Sequence, residues 1–136
     1  MSTEVHVARA VATIAPGSPD HRVAVRVGRH ELVADEPADG GGADAGPSPF
    51  GYLLTGLVSC TSITLRMYAD RKGWDLGQVH VDLVIERAGE VERIVRTVRL
   101  GASLTDEQRT RLSEIAEKTP VTKTIKRGTP IVTKLA

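Results

Sequence analysis

The chain has one cysteine, Cys60, and its thiol is the side chain with the most distinctive chemistry. It lies within a long apolar segment, Gly46 to Trp74. A thiol on an apolar helical stripe is often a small hydrophobic residue that fills space. A reactive thiol needs a group that stabilises the thiolate, such as an arginine or a helix N-terminus. The residue type alone therefore leaves both interpretations open.

Other chemistries have weaker support in the sequence. The four histidines are scattered without HxxxH or HExxH spacing, so we expect neither a metal ion nor another cofactor. Gly40 to Gly42 precede no Lys-Ser/Thr pair, which favours a flexible loop over a phosphate-binding loop. A Cys-His hydrolase stays open, although no histidine has a context that suggests it. The histidines are His6, His21, His30 and His80.

Composition predicts an ordinary globular protein. The 136 residues are 40% hydrophobic with a net charge of +1, so we expect one domain over 1–136. Aromatic residues make up only 3%, and the basic excess is small, so nucleic acid is not an expected partner. The first ten residues do not resemble a secretory signal, and no apolar run is long enough to span a membrane. A single cysteine and no membrane partner favour the cytoplasm.

The N-terminal part, residues 1–34, is predicted to contain three strands, because valines alternate with polar residues. A turn is expected at Pro16 to Asp20 and a hairpin turn at Gly28-Arg29. Residues 35–48 are rich in Gly, Pro, Asp and Ala and are predicted to form a connecting loop. The strands are Val5–Ile14, Arg22–Val27 and His30–Ala34.

A central helix is predicted over residues 49–73. Ser48 is the expected N-cap, Pro49 the first helical residue and Gly73 the stop. Two apolar stripes indicate that the helix is buried on several sides. One stripe contains Leu53, Leu57, Cys60, Thr64 and Met67, and the other contains Leu54, Val58 and Leu65.

The remaining part, residues 79–136, is predicted to form strands and helices. Thr105 and Gln108 have the spacing of a capping box, which opens an amphipathic helix through Lys118 with Leu112, Ile115 and Ala116 inward. The whole pattern predicts an α+β two-layer fold with a curved antiparallel sheet. The other predicted elements are strands Val79–Glu86 and Glu92–Leu100, a short helix Pro120–Lys126 and a final strand Pro130–Leu135. In the strand Glu92–Leu100, Arg96 shares a face with Ile94, Val98 and Leu100.

Several segments closely resemble the OsmC/Ohr family of organic hydroperoxide reductases, in its OsmC-like branch. The similarity runs from about Arg22 to the C-terminus. The matching segments are Asp35 to Pro37, Gly46 to Pro49 with Leu53-Leu54, Cys60 to Ser62, Leu65 to Trp74, Leu104 to Arg109 and Ile115 to Val121.

The resemblance implies an intertwined homodimer with an apolar pocket at its interface. It also implies a thiol peroxidase, in which one cysteine attacks an organic hydroperoxide and a second cysteine, in a Cys-Pro-Val motif, resolves the sulfenic acid. Cys60 matches the attacking cysteine. Thr119 occupies the position of the resolving cysteine, and Arg22 or Arg26 matches an assisting arginine, of which we select Arg22. Phe50-Gly51-Tyr52 stands where the family has a glutamate.

Two functions follow from this comparison. In the first, Cys60 is a one-cysteine hydroperoxide reductase whose sulfenic acid is reduced by an external thiol. In the second, the chain is a non-catalytic dimeric binding protein that holds a small apolar ligand, and Cys60 only packs. The acidity and accessibility of the Cys60 thiol distinguish the two.

Overall fold

A computed structural model describes residues 4–17 and 21–136. The fold is α+β with antiparallel sheets, which confirms the predicted class. The elements are β1 (Ala10–Thr13), β2 (Val23–Val27), β3 (His30–Ala34), α1 (Pro49–Lys72), β4 (Val79–Ala88), β5 (Val91–Leu100), α2 (Asp106–Ala116) and α3 (Pro120–Arg127). The chain forms two compact units, one that ends at Leu53 and one that begins at Leu54.

The first unit contains a three-stranded antiparallel sheet in the order β1-β2-β3. The predicted hairpin at Gly28-Arg29 is confirmed, and Gly28 has a φ of 59°, which glycine adopts at little cost. The first predicted strand is shorter than expected, because only Ala10–Thr13 pairs with β2. Of the predicted turn, Pro16 and Gly17 form one, while 18–20 lie outside the described residues.

The loop between β3 and α1 is organised by the buried carboxylate of Asp35. This carboxylate accepts hydrogen bonds from the backbone N–H groups of Glu36, Ala43 and Ala45, at 2.8, 3.2 and 3.1 Å. Burial raises the pKa of Asp35, but these hydrogen bonds and the charge of Arg22 outweigh it, so the pKa lies below its usual value. The loop therefore has a fixed internal anchor.

Two glycines of this loop, Gly42 and Gly46, lie where no side chain fits. A Cβ on Gly42 would overlap the Glu36 carbonyl, and a Cβ on Gly46 would overlap the Val33 carbonyl. A short 3₁₀ helix, Ala38–Gly40, forms the middle of the loop. Backbone atoms approach position 42 too closely for any larger residue, so Gly42 is required for packing, while the predicted flexibility of Gly40 to Gly42 stays a prediction.

Both ends of α1 form as predicted. The Ser48 hydroxyl accepts a hydrogen bond from the Gly51 N–H at 3.1 Å, as an N-cap does. At the other end Gly73 has a φ of 71°, its N–H donates to the Asp70 carbonyl, and the Trp74 N–H donates to the Ala69 carbonyl. This pair of bonds is a Schellman motif, which ends a helix at glycine.

The second unit packs α1 and α2 against the two-stranded sheet β4-β5. Val79 pairs with Leu100 and Ile85 with Ile94, so the odd-numbered residues of β4 and the even-numbered residues of β5 share the inner face. The buried core consists of Leu65, Ala69, Leu76, Leu112 and Ala116. Leu112 and Ala116 confirm the predicted inward face of α2.

The C-terminal elements agree with the sequence up to Gly128. The capping box of Thr105 and Gln108 is present, although α2 ends at Ala116 rather than Lys118. The predicted strand Pro130–Leu135 is wrong for the single chain, because no described strand pairs with it. Its apolar side chains are exposed, Ile131 by 89%. A strand needs a neighbour for its backbone hydrogen bonds, and sequence alternation does not supply one.

We predict that Asp35→Asn lowers the melting temperature at pH 7, because an amide offers the loop N–H groups one acceptor oxygen instead of two. The lowered pKa of Asp35 means that its contribution is complete above the pKa of the unfolded chain and disappears as pH falls through the folded pKa. The gap in melting temperature between the two proteins should therefore narrow from pH 7 to about pH 3. Thermal unfolding followed by circular dichroism measures it, and a constant gap would contradict the assignment.

Candidate functional site

Cys60 lies in the middle of α1 as a free, half-buried thiol. Its Sγ is 4.0 Å from the Thr64 hydroxyl oxygen. The sequence predicts that α1 is buried on several sides. In the single chain only one face of α1 is buried, and another face is open to solvent. The buried face consists of Leu57, Thr61, Leu65 and Ala69.

The open face of α1 includes the segment around the thiol. Ile63 is 59% and Met67 49% exposed, and both lie within two turns of Cys60. A Cβ on Gly56, one turn before Cys60, would meet no atom within 4 Å. Cys60 therefore stands at the boundary between the core face and an exposed, largely apolar face.

Arg22 is exposed and lies in the unit that ends at Leu53. There its charge contributes to the lowered pKa of Asp35. Its predicted assistance to Cys60 stays a prediction.

Thr119, at the position of the missing resolving cysteine, is fully buried. Its hydroxyl is the N-cap of α3 and accepts a hydrogen bond from the Thr122 N–H at 3.3 Å. The two threonine hydroxyls are 2.7 Å apart. The Thr122 hydroxyl also donates to the Ala116 carbonyl at 3.3 Å. Thr119 is therefore a structural hydroxyl in this chain, with both its donor and its acceptor capacity used.

Arg96 is the residue that the sequence-based search for a site missed. Among the arginines, all of which fall in the described residues, it alone is not exposed, and its side chain is 14% accessible. It lies on the inner face of β5, opposite Leu83. Its NH1 donates to the hydroxyls of Thr61 and Thr122, both at 3.0 Å, and its NH2 donates to the Glu117 carboxylate at 2.9 Å. The sequence contains one sign that Arg96 has a special role: it is an arginine on a strand face that is otherwise apolar.

We call Arg96, Thr61, Glu117, Thr119 and Thr122 the Arg96 cluster. The Thr61 hydroxyl in this cluster has both a donor and an acceptor role: it donates to the Leu57 carbonyl at 2.7 Å and accepts a hydrogen bond from Arg96. In the part of the chain that the structure describes, no buried side-chain nitrogen or oxygen lacks a partner. The cluster connects α1 to α3 at the residue that directly follows Cys60.

The described residues hold no group of three or more His, Cys, Asp or Glu side chains that could bind a metal ion.

An open cleft of about 380 Å³ lies at the C-terminal end of α1, between Arg66 and Gly77, and does not include Cys60. Across 4–17 and 21–136, no helix is long and apolar enough to cross a membrane.

A comparison with models of protein families identifies the family of this chain. The family model described as OsmC-like protein matches residues 40–134, which include α1, Cys60 and the Arg96 cluster. The chain belongs to the OsmC-like family. A comparison with curated protein sequences found no match.

Solved structures of OsmC-like relatives share the fold. A Psychrobacter arcticus protein, named for a proposed role in osmotic stress and detoxification, has a TM-score of 0.71 at 20% identity, with 90% of each chain covered. Organic hydroperoxide resistance proteins from Legionella pneumophila and Elizabethkingia anophelis have TM-scores of 0.68 and 0.67 at 15% and 17% identity. The Legionella comparison covers 90% of this chain and 91% of that one, and the Elizabethkingia comparison 90% of each.

We predict that Thr119→Val lowers the free energy of unfolding by about 1–2 kcal/mol, because it removes the N-cap of α3 and a buried hydrogen-bond partner of Thr122. Thr119→Ser keeps the hydroxyl and is the matched control, with a loss expected below that of valine. Urea denaturation measures both. Equal losses in the two variants would show that the hydroxyl does not stabilise the fold.

Proposed function

We propose that this OsmC-like protein is a one-cysteine organic hydroperoxide reductase. The observation that carries the proposal is the contrast between Cys60, a free and half-buried thiol, and Thr119, a buried hydroxyl that cannot form a disulfide. The names of the two hydroperoxide resistance proteins with this fold support the substrate class.

The reaction uses one thiol of the protein and two thiols from outside. The Cys60 thiolate attacks the terminal oxygen of ROOH, the O–O bond breaks, and RO⁻ leaves and takes a proton to give the alcohol ROH. Cys60 is then a sulfenic acid. One external thiol displaces water and forms a mixed disulfide, and a second thiol releases Cys60 with formation of the external disulfide. A cytoplasmic location would supply such thiols.

The exposed apolar side chains on α1 favour a homodimer in this proposal. Ile63 and Met67 would be covered if the α1 helices of two chains packed together, and such contact would give Cys60 an apolar environment. The alternative function, a non-catalytic dimer that holds a small apolar ligand, uses the same surface but leaves the thiol unreacted.

We predict that an organic hydroperoxide converts Cys60 to a sulfenic acid that dimedone traps, because no second thiol of the chain competes for it. Mass spectrometry of the intact protein should show one adduct. Cys60→Ser is the control and should give no adduct and no peroxide consumption. If the thiol stays unmodified in excess hydroperoxide, catalysis is excluded and the binding function remains.

We predict that Met67→Glu weakens self-association, because it places a charge on the proposed contact surface. Val91→Glu is the matched control, since Val91 is also exposed but lies beside the β4-β5 turn. Light scattering after size-exclusion chromatography should give a dimer mass for the parent and for Val91→Glu, and a lower mass for Met67→Glu. A monomeric parent protein would refute the dimer.

A further inference from the structure

We infer that Gly56 determines which hydroperoxides reach Cys60: its missing side chain leaves an opening on α1, and the organic group of the substrate lies in this opening while the thiol reacts. The substrate is thereby a hydroperoxide with a bulky apolar group. This role of Gly56 rests on the proposed function, because it concerns access of a substrate to the same thiol.

The side chains around the thiol leave one side uncovered. On a helix, the neighbours of a side chain are the residues three and four positions away in each direction. For Cys60, Leu57 is buried in the core face, the Thr64 hydroxyl oxygen lies 4.0 Å from Sγ, and Ile63 is an exposed side chain. The remaining neighbour, Gly56, has no side chain. The thiol is therefore least covered on the side of Gly56.

The space above Gly56 is open. A Cβ at this position would meet no atom of the described residues within 4 Å. Side chains of an α-helix lean toward its N-terminus, so the Cys60 side chain leans toward the turn that contains Gly56. An alkyl carbon in contact with another carbon needs a separation of about 3.5–4.0 Å. An apolar group can therefore lie against the helix backbone at Gly56, beside the thiol.

Glycine at position 56 has no other explanation within the described residues. It lies in the interior of α1, where glycine is less favourable than alanine. Its φ is not positive, and no neighbouring atom would overlap a Cβ, so neither backbone conformation nor packing requires glycine. What glycine provides here is a helix surface that a ligand can approach closely.

The surface beside this opening is apolar. Ile63 and Met67 are exposed on the same side of α1, and residues 56–64 include no charged side chain. An apolar organic group is stabilised when such a surface removes it from water, whereas hydrogen peroxide has no apolar group to bury. The opening is therefore expected to favour organic hydroperoxides.

The test compares substrates of different size on full-chain variants, with the rate constant for loss of the Cys60 thiol as the readout. Gly56→Leu fills the opening, and we expect it to lower the rate constant for cumene hydroperoxide about tenfold and that for hydrogen peroxide less than about twofold. Gly56→Ala should give a smaller loss in the same order. Ser59→Leu is the matched control and should leave both rate constants unchanged, because Ser59 is exposed and lies about 100° around the helix axis from Cys60.

Alkylation of Cys60 repeats the comparison without peroxide. Gly56→Leu should slow modification by the bulky reagent N-(1-pyrenyl)maleimide more than modification by iodoacetamide, as followed by mass spectrometry of the intact protein. Circular dichroism melting curves establish that the variants are folded. If Gly56→Leu does not fold, Gly56→Ala still decides, because alanine fits the open space and favours the helix.

Equal losses for large and small reagents in folded variants would overturn the role of Gly56. A lower mass of Gly56→Leu than of the parent in light scattering would also overturn it, because position 56 would then contact a second copy of the chain. Size-dependent alkylation without any peroxide consumption would refute only the proposed function. Peroxide consumption that does not depend on substrate size in the variants would refute only the role of Gly56.

Discussion

One largely buried guanidinium, that of Arg96, connects several elements of the second unit. Arg96 lies on the apolar inner face of β5, where a charge without partners would be strongly unfavourable. The chain supplies three partners from three places: Thr61 on α1, Thr122 on α3 and Glu117 after α2. The positions of the helices relative to this sheet are therefore restricted by hydrogen-bond geometry as well as by apolar packing, which is less directional.

Features with local causes were predictable from the sequence. The Ser48 cap, the Gly73 stop and the Thr105–Gln108 capping box each depend on residues within five positions of one another. The hairpin at Gly28-Arg29 and the alternation in β4 and β5 have equally local signals. The position of Cys60 on a long helix follows from the same information, because helix signals and apolar periodicity extend on both sides of it.

Features that depend on distant residues were not predictable. Arg96 was seen to share a strand face with Ile94 and Val98, but the hydroxyls that bind its guanidinium are 35 and 26 residues away. The Asp35 loop has a composition that resembles a flexible linker, and its order comes from a carboxylate that binds N–H groups 8 and 10 residues later. The segment 130–135 has the alternation of a strand, but no strand among the described residues pairs with it.

The Arg96 cluster has a consequence for how the second unit loses its structure. Separation of α3, or of the turn of α1 at Thr61, would leave part of the buried guanidinium without an acceptor. Neither element can unfold alone without the unfavourable free energy of this lost hydrogen bond. Local unfolding of α3 and of the α1 turn at Thr61 is therefore expected to be cooperative. Amide protons in α1 near Thr61 and at the start of α3 should accordingly belong to one exchange unit, although α3 has only eight residues.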